Sequence, residues 1–173
     1  MENKVVISKT DRLILRQFNT GDVDFILQLV NAENWIQYIG DRNIKNPAQA
    51  QAYIEKSLVK SYKDHGYGLW LVQLKDAKTA IGMCGLVNRE GLDDVDIGFA
   101  MLPQFCNKGY ALEAAKATMS YAKNNLNIQR VIAITTESNQ ASIQLLNKIG
   151  LYYKKTVSLS KDNVVQVFEP MNN

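Results

Sequence analysis

The fold of this chain is decided by residues 96–114, which read DIGFAMLPQFCNKGYALEA. Apolar side chains alternate from Val95 to Met101, a period typical of a β-strand. Pro103 ends that strand, because proline has no N–H to donate to a central ladder. A short turn containing Asn-Lys-Gly follows, and a helical pattern starts at once. The stretch therefore predicts a strand, a tight turn and a helix in direct succession.

The start of that helix is suited to binding an anion. Its first backbone N–H groups have no partner within the helix, and the positive end of the helix dipole lies there. Gly109 allows a bulky group to approach the backbone closely, and Ala111 keeps the first turn narrow. The junction thus indicates a cradle for a diphosphate, with a plain tight turn as the alternative. The junction lacks the Gly-Lys-Ser/Thr ending of the common ATP-binding loop, and it lacks the three glycines of the common NAD-binding loop.

Outward from this stretch, the pattern of apolar residues predicts one α/β domain. Its order is β-α-α-β-β-β-α-β-α-β-β, giving a mostly antiparallel mixed sheet of about seven strands flanked by four helices. The predicted strands cover 12–16, 67–75, 81–88, 95–101, 130–136, 151–159 and 164–168. The helices begin after the turn at 19–21, at Asn46-Pro47, near Leu112 and near Ala141. We expect residues 1–173 to form a single domain.

Composition narrows the function classes. With 173 residues, 46% hydrophobic and 21% charged, the chain is typical of one globular domain. A net charge of +3 with scattered lysines lacks the basic stripe of a nucleic-acid binder. No apolar run is long enough to cross a membrane, and Met1–Lys9 lacks the core of a secretion signal. Two cysteines favour a reduced, cytoplasmic protein, and we expect no metal ion.

Four segments resemble, in order, the GNAT acetyltransferase superfamily, and within it the RimJ/RimL-like N-acetyltransferases. They are 12–16 with Asp22 after it, 81–86, 97–114, and 139–142 leading to 148–151. The resemblance covers roughly residues 10–169, and the order and spacing of the segments make it specific. It implies a sheet splayed between the fourth and fifth strands. It also implies an enzyme that transfers an acetyl group from acetyl-CoA to a primary amine.

The resemblance assigns the coenzyme contacts residue by residue. The diphosphate loop would comprise Cys106, Asn107, Lys108, Gly109, Tyr110 and Ala111. The pantetheine arm would pair with the backbone of Phe99 and Met101 and contact Asn139. Two positions depart from the family pattern: Cys106 replaces the usual Gln or Arg, and Asn107 a frequent glycine. Because backbone N–H groups make most phosphate contacts, we expect coenzyme binding to persist, with Lys108 adding charge.

The catalytic residues are predicted on the same basis. Asp96 is the candidate base, acting through water, with Asp94 in reserve; both could instead be solvated carboxylates or attract a cationic amine. The family's tyrosine acid falls at Leu146, so that acid is absent. Ser142 could hydrogen-bond the departing sulfur, while Asn139 contacts the pantetheine arm. The alternative role for that pair is helix capping, and the two roles are compatible.

The acceptor and the assembly stay open at this point. The amine would be a protein N-terminus or a small molecule, and the protein a monomer or homodimer. A catalytically silent module that binds acyl-CoA is the alternative function. Trp35 and Tyr38 either belong to the core or line the acceptor pocket. His65 more simply ends a helix than pairs with Cys106 as a nucleophilic couple.

Overall fold

The computed structural model describes residues 4–171 and contains one eight-stranded sheet in the order β1-β2-β3-β4-β5-β6-β8-β7. The strands are β1 Val6–Lys9, β2 Leu13–Arg16, β3 Leu69–Leu74, β4 Ala80–Val87, β5 Val95–Met101, β6 Val131–Thr135, β7 Leu151–Ser160 and β8 Asn163–Pro170. The helices are α1 Val23–Val30, α2 Glu33–Tyr38, α3 Pro47–Tyr53, α4 Lys60–His65, α5 Tyr110–Asn125 and α6 Gln140–Lys148. A π-helical turn, Ile54–Val59, joins α3 to α4, so these form one long helix.

The predicted mixed α/β fold is confirmed, with two additional elements. Strand β1 is an edge strand of four residues with only a short apolar run, so no alternation marks it in the sequence. It forms because it pairs with β2, antiparallel to it. Helix α2 has six residues, too few for a helical period to be recognised. Residues 1–3 lie outside the described range, so the prediction made for Met1–Lys9 is only partly covered.

The sheet opens where the family resemblance predicts it. Strands β1 to β5 are antiparallel neighbours, whereas β5 and β6 are parallel and pair only at Val95–Val131 and Asp96–Ile132. Beyond those two pairs β5 continues to Met101 alongside β4, without β6 as a partner. The splay predicted between the fourth and fifth strands therefore lies between β5 and β6, since β1 adds one to the count.

Each face of the sheet carries its own apolar core. One face packs against α5, whose buried positions include Ala114, Ala115 and Ala122; their small side chains let the helix lie close to the strands. Leu112, in the first turn of the same helix, is half-buried. The other face packs against α1, α2, α3 and the π-helical turn that follows α3.

A buried ion pair connects the first strand predicted from sequence to the first helix. Arg16 donates two hydrogen bonds to Asp22, at 2.8 and 2.7 Å, and a third to Gln73 at 2.9 Å. The Asp22 carboxylate also accepts from the N–H of Asn19. Both charged side chains are almost fully buried, so each depends on the other for compensation. The pair fixes α1 relative to β2.

Candidate active site

The loop between β5 and α5 is the first component of the candidate site. After β5, a single 3₁₀ turn spans Pro103–Phe105, and the chain reaches Tyr110, the first residue of α5. Two residues on this path have left-handed backbones: Asn107 with φ of 59° and Gly109 with φ of 79°. Asparagine tolerates this conformation better than other residues with side chains. Asn107 therefore preserves the backbone shape that the family's frequent glycine allows.

The first turn of α5 has no side-chain cap. Gly109 occupies the N-cap position and supplies no side-chain hydrogen bond to the amides that follow. The first helical bond runs from the N–H of Glu113 to the Gly109 carbonyl, at 3.0 Å. The amides of Tyr110 and Ala111 precede that bond, and the N–H groups of a helix's first turn lack carbonyl partners within the helix. The junction thus has the uncapped helix start on which the predicted anion cradle depends.

A group of side chains that sequence reasoning missed holds this loop. Glu113, in the first turn of α5, accepts hydrogen bonds from the Thr10 hydroxyl at 2.6 Å, the Arg12 N–H at 3.0 Å and Arg12 Nε at 2.7 Å. Arg12 also donates from Nη1 to the Lys108 carbonyl at 3.1 Å. Its guanidinium carbon lies 4.5 Å from the centroid of the Tyr110 ring. Residues from the start of β2 therefore contact both the loop and the helix.

The open side of β5 lies next to this loop. The Leu102 N–H donates to the Ile81 carbonyl at 2.8 Å, so alternate residues of β5 turn their backbone groups toward β4. Phe99 and Met101 are the intervening residues, so their backbone N–H and C=O groups point away from β4, toward the gap before β6. The Met101 carbonyl accepts a hydrogen bond from Asn34 Nδ2 at 2.9 Å. The two predicted pantetheine partners thus face the gap, with one carbonyl engaged by α2.

Asp96 is a buried carboxylate, and the alternative that it is solvated is wrong. Its side chain is 1% exposed and lies 3.3 Å from Arg89 Nε and 3.4 Å from Arg89 Nη2. Burial raises the pKa of this carboxyl, and the neighbouring guanidinium opposes the rise without cancelling it. It shares a face of β5 with Gly98 and Ala100, the face packed against α1 and its neighbours. A buried carboxylate with a raised pKa suits a proton acceptor.

Asp94, the reserve candidate, has a different environment. It accepts a hydrogen bond from Arg130 Nε at 2.9 Å, and Arg130 Nη2 also donates to Glu169 at 2.6 Å. These contacts tie the start of β5 to the start of β6 and the end of β8. All three side chains are partly exposed. The arrangement gives Asp94 an evident structural role in joining the strands.

Helix α6 begins next to the end of β6. Asn139 is its N-cap residue, and its side-chain oxygen accepts from the Ser142 N–H at 3.2 Å. Capping, the alternative considered for this pair, is therefore present. It uses the backbone of Ser142, and within residues 4–171 the Ser142 hydroxyl has no hydrogen-bond partner. Leu146 is buried in the core, so an apolar core residue occupies the position of the family's tyrosine.

The remaining candidate residues make contacts that serve the fold. His65 stacks on Tyr67, with ring centroids 5.7 Å apart, just before Gly66 ends α4. Cys106 contacts Asn34 and nearby backbone carbonyls, so the structure does not bring it together with His65. Burial raises the pKa of Cys84 to about 12, which leaves an inert thiol. Trp35 is buried and belongs to the core.

Two surface cavities lie beside α5. One, of about 300 Å³, is between β1 and α5, and its lining includes Lys9 and Tyr121. The other, of about 470 Å³, is near the far end of α5 and includes Lys123 and Gly150. Neither is lined by the loop at 106–111 or by the predicted catalytic residues. Within the described range, no three His, Cys, Asp or Glu side chains are grouped to hold a metal, and no helix is long and apolar enough to cross a bilayer.

Comparison with known proteins identifies the family. The family model for the acetyltransferase (GNAT) domain matches residues 12–152. The uncharacterised N-acetyltransferase YnaD of Bacillus subtilis (strain 168) is 28% identical over 152 residues, covering 86% of each chain. YoaA of the same organism, also named an uncharacterised N-acetyltransferase, is 29% identical over 145 residues, covering 83% of this chain and 81% of YoaA.

Solved structures share the fold. RimL, a ribosomal L7/L12 α-N-protein acetyltransferase solved in complex with coenzyme A, superimposes with a TM-score of 0.82 at 16% identity, over 96% of this chain and 97% of that one. The open gap between β5 and β6, the uncapped start of α5 and the match over residues 12–152 agree with one another. This chain belongs to the GNAT acetyltransferase family.

Proposed function

We propose that this protein is an acetyl-CoA-dependent N-acetyltransferase whose acceptor is a primary amine. The observation that carries the proposal is the uncapped start of α5 beside the gap between β5 and β6. An anion-binding helix terminus and an open strand edge are the two features that a diphosphate joined to an extended, amide-containing arm requires. The acceptor would be a protein N-terminus or a small-molecule amine.

The donor would be bound mainly by backbone groups. Amides at Lys108, Gly109, Tyr110 and Ala111 would contact the diphosphate, and Lys108 would add positive charge. The exposed edge of β5 at Phe99 and Met101 would pair with the arm. The Met101 carbonyl already accepts a hydrogen bond from Asn34. We therefore expect the backbone N–H groups of this edge to contribute more to binding the arm than its carbonyl groups. A backbone donor placed at the thioester oxygen is worth about 10²–10³ in rate.

The acceptor must reach the thioester as a neutral amine. An α-amino group has a pKa of about 7.7–8.0, whereas a lysine side chain has one of about 10.4. An α-amine therefore needs less help to lose its proton. The first proton is lost to solvent before attack, and Asp96 would take, through a water molecule, the second proton, which the nitrogen releases after it has attacked the thioester. Asp96 suits this role because its pKa is raised and it lies on β5, three residues before Phe99.

The reaction would proceed in a ternary complex without an acyl-enzyme. The amine nitrogen attacks the carbonyl carbon, a C–N bond forms, and the C–S bond then breaks. The ammonium proton passes to Asp96, and the sulfur departs as a thiolate whose conjugate acid has a pKa of about 8.5. The Ser142 hydroxyl, which has no partner in the described part of the chain, would hydrogen-bond that sulfur. No stronger acid is needed for such a leaving group.

One contact favours the alternative of a silent acyl-CoA-binding module. Arg89 covers Asp96 with two long hydrogen bonds, and the carboxylate is 1% exposed. In an active enzyme the acceptor or its water must reach this carboxylate. In a binding module the ion pair would simply stabilise the turn between β4 and β5.

Release of free thiol from acetyl-CoA separates the two functions. The amine panel would contain a peptide with a free α-amine, the same peptide with a blocked N-terminus, a polyamine and an aminoglycoside. Thiol release above the no-amine rate for any member supports the enzyme. Micromolar binding of CoA in calorimetry, with no release for any acceptor, supports the module. The absence of CoA binding would contradict both.

A further inference from the structure

We propose that Arg12 is a positioning residue for the donor, acting with Glu113 as a strap that holds the diphosphate loop in its binding shape. The strap is defined by Thr10, Arg12 and Glu113. The proposal rests on the proposed function and adds to it side chains outside the loop. It follows from contacts that join residues about a hundred positions apart in the chain.

The Glu113 carboxylate is the fixed point of the strap. It accepts three hydrogen bonds, from the Thr10 hydroxyl at 2.6 Å, the Arg12 N–H at 3.0 Å and Arg12 Nε at 2.7 Å. Burial by itself would raise the pKa of Glu113, but the hydrogen bonds from Thr10 and Arg12 outweigh it and lower the pKa. The carboxylate is therefore charged at neutral pH and binds the start of α5 to the start of β2.

Arg12 extends this attachment to the loop itself. Its Nη1 donates to the Lys108 carbonyl at 3.1 Å, and its guanidinium covers the Tyr110 ring. Its Nη2 lies 3.3 Å from the point that a side-chain carbon at Gly109 would occupy. One guanidinium thus contacts Lys108 and Tyr110 of the predicted diphosphate loop and fills the space next to Gly109 between them. The planar, multiply donating group of arginine is suited to this role.

The strap positions the loop relative to the rigid part of the sheet. The Arg12 carbonyl accepts from the Lys75 N–H at 2.8 Å, next to the ladder between β2 and β3. The loop contains two left-handed residues: Gly109, which adopts this conformation without steric cost, and Asn107, which is strained there and depends on the surrounding structure. Arg12 supplies that support from the sheet. Preorganised loops bind more tightly because less conformational freedom is lost on binding.

The strap also controls charge where the anion binds. Glu113 carries a negative charge within the first turn of α5, close to the amides that would contact a diphosphate. The positive charge of Arg12, 2.7 Å away, compensates it. Without Arg12, an uncompensated carboxylate would repel the diphosphate. We infer that removing Arg12 harms donor binding more than removing Arg12 and the Glu113 charge together.

The test measures CoA affinity by calorimetry for the wild type and for Arg12→Ala, Arg12→Lys, and Arg12→Ala combined with Glu113→Gln. We expect Arg12→Ala to weaken CoA about tenfold or more. Arg12→Lys should be intermediate, since an ammonium keeps the charge but cannot make all these contacts. The double variant should recover part of the loss. Lys60→Ala is the control, because it removes an exposed ion pair with Asp64 in α4 and should bind CoA normally.

A second measurement distinguishes positioning from general destabilisation. S-acetylpantetheine lacks the diphosphate, so kcat/KM with it should be nearly the same for the wild type and Arg12→Lys, whereas kcat/KM with acetyl-CoA falls. An equal fall with both donors would overturn the proposal, as would wild-type CoA affinity in Arg12→Ala. Wild-type protein that binds no CoA would refute the proposed function itself. If the wild type binds CoA and the substitutions at Arg12 do not change its affinity, the strap alone is refuted.

Discussion

Replacing Gly109 with alanine tests whether the loop must keep its left-handed backbone to bind the donor. Gly109 has φ of 79°, and an L-residue in this conformation is strained by about 1–2 kcal/mol. The new methyl group would also lie 3.3 Å from Arg12 Nη2, so the guanidinium must shift by a few tenths of an ångström. We therefore expect a loss of about 1–2 kcal/mol in the free energy of unfolding.

The matched control is Gly66→Ala. Gly66 has a nearly equal φ of 77°, and nothing lies within 4 Å of an added methyl group there. It ends α4, away from the loop, so it should show the same loss of stability in urea unfolding. Only Gly109→Ala should also weaken CoA in calorimetry, by about 5–30-fold if the loop relieves its strain by leaving the binding shape.

Two results would refute this reasoning. If both variants lose stability equally and Gly109→Ala binds CoA within twofold of the wild type, the loop conformation does not matter for binding. If Gly109→Ala is as stable as the wild type, the left-handed backbone is not strained by a side chain.

Four further variants concern other residues. Asp96→Asn should lower kcat by about 10²–10⁴ and should remove the rise of kcat with pH. In the wild type we expect that rise above the usual aspartate pKa of about 3.9, because burial raises the pKa of Asp96. An unchanged kcat would exclude Asp96 as the base. Asp22→Ala should lower the free energy of unfolding in urea by about 3–5 kcal/mol, because Arg16 would stay buried without its partner; a loss below 1 kcal/mol would contradict that account. Asn139→Ala should lower the thermal stability of the protein by about 0.5–2 kcal/mol through the lost cap. Ser142→Ala keeps that cap, so it should change kcat without changing stability, and equal melting losses would argue against this division.

The sequence predicted the strand, turn and helix start that form the candidate diphosphate loop, because these features are local. The strand, the turn and the helix start follow one another within residues 95–111, and short-range patterns determine each. The fold class followed for the same reason, since strand and helix periods are local signals. Strand β1 was missed because its stability comes from pairing with β2 and not from its own pattern.

The environments of the charged residues could not be predicted in the same way. Asp96 and Asp94 look alike in the sequence, yet one is buried under Arg89 and the other is partly exposed beside Arg130. Burial depends on which elements pack over each face of β5. Arg12 stood in a segment that carried the family resemblance, but nothing local indicates its contact with Glu113.

By itself the sequence determined the order of all strands and helices except β1 and α2, the break after β5 and the tight turn at Gly109 before α5. These depend on local conformational preferences and on periodicity over a few residues. Only the tertiary structure decided the burial and raised pKa of Asp96, the capping role of Asn139 and the strap of Arg12 and Glu113. Hydrogen bonds and desolvation depend on distances in space, and the strap joins groups 101 positions apart, for which a single sequence carries no local signal.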